Sequence, residues 1–511
     1  MSQLKTGAFL NYTSIILTNV VGIVLTPFIL NHLGTSEYGI YLTIGALVGT
    51  ISLLDFGLSN TIVRFVAKYK AENDKEGQEN FLATTMLIYA FLAVLVVTAG
   101  LLFYTLYIDS YFTKMTIEEI QMAKSMFLIL VFNLAISLPG GAFTGMCYGY
   151  ESFIFPKTLN IIRYIVRSIT IVAVLMLGGN AISLVIIDTI FNILIITSTS
   201  YYVFRKLHIK FKLHFLSTKF IKEIFSYSGW IFIFALVGIF QWKAGHWVLG
   251  RISTPEVLTV YGIGIVLGTY YGAFSTAISS VFLPRATQMS VGNASGEQLT
   301  NMMIKIGRLS FMILMFILTA FLLFGNQFVY LWVGEKLGKQ GSYESWLIAI
   351  MIMVAYTLPL VQGFGNSILE AKNKLSFKAI LYLSFMFIGT VLGAYLAQTK
   401  GAIGMMMGSV IGWIIVQNVM NFYYHKVIRL NIIRFFKELL SKIIIVVILS
   451  TTIGYFMNTI VSGEGWYNFI IKSALYTVLY SILIYYIGAN VFEKQLFKDA
   501  FKPILRRLKK T

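Results

Sequence analysis

Apolar runs of about 20 residues or more recur along the whole chain, separated by short polar stretches, and none alternates with the period of two that a barrel strand would show. They predict helical spans near 8–31, 39–59, 80–107, 125–147, 155–178, 181–204, 225–250, 257–283, 303–325, 344–370, 376–397, 402–424, 440–462 and 466–490. The expected fold class is therefore all-α, a polytopic membrane protein with about 14 transmembrane helices. Composition agrees: of 511 residues 57% are hydrophobic and 12% charged, against about 45–50% and 25% in soluble domains. The opening MSQLK leads directly into an apolar segment with no clear small-residue cleavage site, which predicts an uncleaved first helix. The one cysteine, Cys147, cannot form an internal disulfide, and no His/Cys/Asp/Glu spacing suggests a metal or another cofactor.

Charge adds orientation. With the N-terminus placed in the cytoplasm, the inner connections, including Lys5, 60–79, 205–224, 425–438 and the tail from Val491, carry most of the 40 Lys and Arg residues. The outer connections hold only Lys114, Lys124, Arg251, Lys336, Lys339 and Lys400. This asymmetry predicts cytoplasmic N- and C-termini, and Trp242, Trp247, Trp332, Trp346 and Trp466 near the opposite face fit an aromatic belt. The net charge of +19 then follows from topology and calls for no nucleic acid; the tail FKDAFKPILRRLKKT suits anionic lipid headgroups.

Internal repetition divides the chain. LGTSEYGIY from Leu33 is echoed by LGRISTPEVLTVYGIG from Leu249, and LPGGAF from Leu138 by LPLVQGF from Leu358, at nearly the same offset. Helices 1–6 thereby pair with helices 7–12 as parallel repeats, an arrangement that commonly encloses a pathway opening alternately to each side. The expected domains are an N-lobe at 1–204, a basic cytoplasmic linker at 205–224, a C-lobe at 225–425, two accessory helices at 426–490 and a basic cytoplasmic tail at 491–511.

The stretches PFILNHLGTSEYGIY, SLLDFGLSNTIVRFVAKY, LPGGAFTGMCYGYESF, VYGIGIVLGTYYGAFSTAISSVFLP and NSILEAKNK resemble those of bacterial polysaccharide flippases, the Wzx-type lipid-linked oligosaccharide flippases of the multidrug/oligosaccharidyl-lipid/polysaccharide exporter superfamily. The resemblance covers most of the chain and is densest over 8–180. It implies two six-helix lobes in a V around a central cavity, with two extra C-terminal helices. It also implies movement of undecaprenyl-pyrophosphate-linked oligosaccharide from the cytoplasmic to the outer leaflet of the bacterial cytoplasmic (inner) membrane, beside a polysaccharide polymerase and assembly proteins. Where such relatives often carry an arginine after the first helix this chain has Asn31 and His32, and where they often carry an acidic residue in the seventh helix it has Lys243 and His246. No ion-coupling residue is carried over at either place, and Asp188 and Asp55 stand as the candidates for ion coupling or for charge partners.

The candidate site rests on charges inside spans. Arg163 and Arg167 lie about 12 and 18 Å into the fifth helix at 1.5 Å per residue. They share one face with Asn160. An arginine at the bilayer centre costs at least ~2.5–3.5 kcal/mol on insertion scales, so this face should look into protein or water. One reading is a cationic cavity wall for a pyrophosphate, which suits the paired donors of guanidinium. The other has Arg163 reaching the headgroups and Arg167 neutralised by Asp188, at similar depth in the sixth helix. Lys243 and His246, about 27–32 Å along the seventh helix, fit either an aromatic belt or a sugar site. Arg64, with Asp55 nine residues earlier, fits either a cytoplasmic pyrophosphate portal or a solvated basic face, and Lys305 and Arg308 share that ambiguity. Pro139, Gly140 and Gly141 are expected to break the fourth helix, as hinge or as kink.

These features favour a flippase working by alternating access, not an enzyme, in the synthesis of O-antigen, capsule or exopolysaccharide. A peptidoglycan-precursor (lipid II) flippase is the alternative. A multidrug exporter would need buried carboxylates, of which only Asp188 is deep. A membrane-integral polysaccharide enzyme would need a large polar loop and an acid/base pair, which the longest outer connection, near 326–343, lacks. No GxxxxGK[ST] motif supports ATP hydrolysis.

Overall fold

The computed structural model describes residues 3–55, 57–215, 229, 232–280, 288–289, 292, 294–372, 374–496 and 498. The second half of the expected linker and most of the basic tail lie outside them. All regular structure among the described residues is helical, as hydrocarbon requires of a chain that must satisfy each backbone group within its own segment.

Three glycines punctuate the longest helices. Helix α1 (Gln3–Ile51) leaves helical geometry at Gly34 (φ 76°, ψ 175°) and resumes, so one continuous element holds two spans. Nothing stands within 4 Å of where a Gly34 Cβ would be; glycine is used there for its positive φ. The same device operates at Gly338 (φ 69°) in α11 (Gly296–Val361) and at Gly401 (φ 53°) in α13 (Ser376–Ile428). All three lie at expected outer connections. The stretch 326–343, read from sequence as the longest outer loop, is instead helix on both sides of Gly338, because its apolar pattern continues almost to the turn.

Between these lie α2 (Leu58–Glu72), α3 (Lys75–Leu106), α4 (Ile108–Tyr111), α5 (Ile117–Gly149), α6 (Ile154–Met176), α7 (Ala181–Arg205), α8 (Phe232–Trp242) bent by 44° against α9 (Ala244–Ile252), and α10 (Pro255–Ser280). The chain continues with α12 (Gly363–Ala371), α14 (Ile432–Leu440), α15 (Ile443–Ile460) and α16 (Trp466–Leu483). Counting a rod on each side of the three glycines and the bent pair as one, and setting aside the short α2, α4, α12 and α14, the described residues hold fourteen long helical rods. Starts are marked chemically: Thr116 with Glu119, Asn180 with Ser183 and Ser295 with Gln298 form capping boxes on α5, α7 and α11.

The described residues fall into two compact units, Met1–Gly262 with Ala379–Ser409, and Ile263–Lys378 with Val410–Thr511. In the first, α5 packs against α1, α2, α3 and α7. It runs unbroken through Pro139, contrary to the expectation that Pro139, Gly140 and Gly141 break it. A proline deletes one backbone donor, and the remaining hydrogen bonds, held by packed neighbours, keep the helix continuous. The glycines serve close approach instead: a Cβ on Gly140 would lie 2.5 Å from Ile196 of α7, one on Gly145 2.9 Å from the backbone oxygen of Ser59 on α2.

In the second unit Arg308 has a structural task. It is 5% exposed and its partner Glu493 1%. Its Nε and Nη2 donate to the two Glu493 carboxylate oxygens at 2.7 and 3.0 Å, its Nη1 to Glu438 O (2.5 Å) and Ser441 O (3.2 Å), and its Nη2 also to Gly488 O (2.9 Å). A fully satisfied guanidinium thus ties α11 to the α14–α15 junction and to the chain after α16. Lys305, one turn earlier, covers the Phe492 ring at 5.0 Å.

Candidate functional site

The polar face of α6 is built in the first unit, where α6 packs on α1 and α7. Its neighbours Ile162, Ile165, Val166 and Ile169 are exposed apolar side chains, so the arginines interrupt an otherwise membrane-compatible helix. Arg167 grips Asp188 of α7 with two donors: Nε bonds Oδ1, and Nη2 reaches Oδ2 at 3.0 Å. Tyr41 of α1 donates its hydroxyl to the same Oδ2 at 3.3 Å. Both charged side chains keep some access, 23% for Arg167 and 24% for Asp188. The depths match because Arg167 stands nine residues before the end of α6 and Asp188 seven after the start of the antiparallel α7, about 13 and 10 Å by rise.

Arg163, one turn nearer the start of α6, is placed differently. Among the described residues it has no hydrogen bond or ion pair; its Nε is sealed from solvent without a partner, and its guanidinium carbon lies 5.2 Å from the Tyr164 ring centroid. Asn160, on the same stripe, spends its amide on Pro156 O at 3.0 Å. The face therefore carries one neutralised and oriented arginine and one whose charge no carboxylate answers among the described residues. An unanswered buried donor of this kind costs about 1–3 kcal/mol until something accepts from it.

The other sequence candidates lie elsewhere in the unit. Asp55, in the short 3₁₀ turn Ser52–Asp55 before α2, accepts from Tyr89 Oη at 2.9 Å, and Tyr89 also meets Ser59 Oγ at 3.3 Å. Arg64 is exposed on α2, one turn from Lys68; farther along, Lys70 donates to Tyr150 O at 3.4 Å. Lys243 sits at the α8–α9 bend with Nζ 2.7 Å from where a Gly49 Cβ would be. His246 is buried in protein at 6% exposure, its ring edge-on to Tyr261 at 5.1 Å, both nitrogens without partners among the described residues. It neither snorkels nor faces open space in this conformation.

Sequence reasoning missed several intramembrane polar groups among the described residues, three of them as follows. One is Tyr41, the third member of the Arg167–Asp188 pair. Another is Asn192, whose amide donates to Asn133 Oδ1 (2.5 Å) and Ser137 Oγ (2.6 Å) across α5 and α7; Asn133 and Ser137 at i and i+4 were the available signal. The third, in the second unit, joins Gln362, Gln417 and Asn421, with Gln362 Nε2 donating to Asn421 Oδ1 at 2.7 Å and Gln417 Nε2 donating to Gln362 Oε1.

Fourteen rods among the described residues, with the Arg167–Asp188 pair held between two of them, define a multi-pass α-helical membrane protein. The chain belongs to the polysaccharide biosynthesis protein family, whose model matches residues 4–291. It is similar to the uncharacterized membrane protein EpsK of Bacillus subtilis (strain 168), 22% identical over 98% of this chain and 97% of that protein. In fold it is similar to the lipid II flippase MurJ in an inward closed conformation, at TM-score 0.75 and 15% identity over 96% of this chain and 99% of that one. It is also similar to an inward-facing multidrug resistance MATE family transporter of the MOP superfamily, at TM-score 0.62 and 15% identity over 83% and 96%.

Proposed function

We propose that this protein is a flippase that carries undecaprenyl-pyrophosphate-linked oligosaccharide from the cytoplasmic to the outer leaflet of the bacterial inner membrane, for surface polysaccharide synthesis. The observation that carries this reading is Arg163: an arginine inside a span, without a carboxylate partner among the described residues, one turn from an arginine that Asp188 holds in place. Membership of the polysaccharide biosynthesis family supports the glycan part of the substrate, and guanidinium geometry suits a pyrophosphate. In this scheme Arg163 receives the diphosphate and Arg167 lends field and orientation. Arg64 and its basic neighbours form the cytoplasmic approach, and Asp188 acts as a charge partner rather than an ion-coupling group. The repeats at 1–204 and 225–425 are the parts that exchange access, with 426–490 accessory and both termini cytoplasmic. A lipid II flippase has the same pyrophosphate, and the likeness to MurJ concerns fold; family membership favours the surface glycan.

Complementation of a deletion strain tests this. Arg163→Ala is expected to lower surface polymer at least tenfold at unchanged protein level, with lipid-linked oligosaccharide accumulating in the inner leaflet, and Arg163→Lys to fall between. Normal polymer from Arg163→Ala would sink the assignment, and accumulation of peptidoglycan precursor with lysis would replace it with the lipid II reading.

A further inference from the structure

A cavity of about 400 Å³ opens in the second unit beside the end of α15 and the start of α16, a size within the range of small-molecule sites. Two lysines of different kinds reach it: Lys339, exposed just after the Gly338 turn, and Lys472 of α16, only 4% exposed. The Lys472 ammonium donates to Gln327 Oε1 at 3.2 Å and Gly463 O at 3.5 Å, which leaves one of its three protons without an acceptor among the described residues. Burying an ammonium with incomplete pairing is expensive, and an anion in the cavity would answer it.

The rest of the wall narrows the ligand class. Asn326 and Asn458 line the cavity beside Gln327, whose own amide is spent on the rim loop and on Lys472, and a carboxamide can both give and accept, as paired ring hydroxyls demand. Tyr330 supplies an aromatic face, and Leu323 is the one aliphatic side chain in the lining. A lipid headgroup would bring acyl chains that need an apolar trough continuous with the pocket. This wall offers amides instead. Glu464, whose carboxylate already acts on the Lys472 ammonium, offsets one of the two lysine charges, and the single positive charge left over favours a monoanion. The loop that closes the rim is fixed: Gln327 Nε2 donates to Gly463 O and Gly465 O at 3.3 Å each, and Gly463 adopts φ 129°, a conformation open to glycine.

We infer that this cavity is a carbohydrate site for an acidic sugar, a hexuronate-sized ring whose carboxylate meets Lys472 and Lys339 and whose hydroxyls meet the carboxamides. The site is separate from the α6 face, and its occupancy requires no translocation. Titration calorimetry on the purified full chain in detergent tests it with glucuronate, with glucose as the neutral control and dihexanoyl-phosphatidylglycerol as the lipid probe. Glucuronate is expected to bind at least tenfold more tightly than glucose, and Lys472→Gln and Lys339→Gln each to weaken it about tenfold. Lys339 is exposed, so its variant reports on binding even where Lys472→Gln misfolds. Absence of glucuronate binding, or binding unchanged in Lys339→Gln, overturns the proposal. Lysine-dependent binding of the phospholipid with none of glucuronate overturns it in favour of a headgroup site.

Discussion

At the scale of single residues, the informative contrast is between two arginines four positions apart. Arg167 has an anion inside the protein, held by two of its own donors and by the Tyr41 hydroxyl; Arg163 has none among the described residues. Removing one member of a partly buried pair strands the other, at a cost of about 3–5 kcal/mol for fully buried pairs and less here, where each side chain is about a quarter exposed. Arg167→Leu or Asp188→Leu alone is therefore expected to lower the yield of folded protein in fluorescence-detected size exclusion. The double change Arg167→Leu with Asp188→Leu is expected to restore yield, and to leave surface polymer reduced because the field beside Arg163 is altered. Restored yield together with full export would confine Arg167 to architecture.

At the scale of elements, helix contacts are set by where glycine removes bulk. The Cβ sites of Gly141 and Gly145 both face Ser59 of α2, but Gly141 would meet its hydroxyl at 3.0 Å, which can turn away, and Gly145 its backbone oxygen at 2.9 Å with Ile62 at 3.2 Å. Gly145→Val is accordingly expected to force α5 and α2 apart, costing about 1–3 kcal/mol and lowering the apparent melting temperature in detergent. Gly141→Ala should leave it within error. Equal effects at both positions would show that the α5–α2 contact does not depend on this approach. The sequence marked Pro139 with its glycines as a feature of α5, but only the neighbouring helices show that the glycines serve contact and that the helix continues through the proline.

At the scale of the whole molecule the question is orientation. Lys75, at the start of α3, and Lys114, between α4 and α5, are both exposed and lie at opposite ends of α3. Lys75 belongs to the densely basic set of connections and Lys114 to the sparse one. After replacement of the buried Cys147, a cysteine at position 114 is expected to react with an impermeant maleimide in intact cells, and one at 75 only after permeabilisation. The reverse pattern would invert the topology, and with it the direction proposed for transport.

The sequence by itself determined the class of the protein, the places where the spans are punctuated and the residues that had to be explained. Hydropathy and charge are properties of local segments, so turns such as Gly34 and Gly401 lie where the apolar runs pause, and Arg163 and Arg167 stand out against their helix without any knowledge of neighbours. Depth along a helix follows from counting residues, which is why Asp188 could be named as a partner for Arg167. Rotation about the helix axis does not follow from counting. Whether Arg167 meets Asp188, whether His246 is enclosed by Tyr261, and whether Lys472 closes a cavity with Gln327 all depend on which faces of distant segments are turned together. That choice belongs to side-chain packing between helices far apart in sequence, and only the tertiary structure decides it.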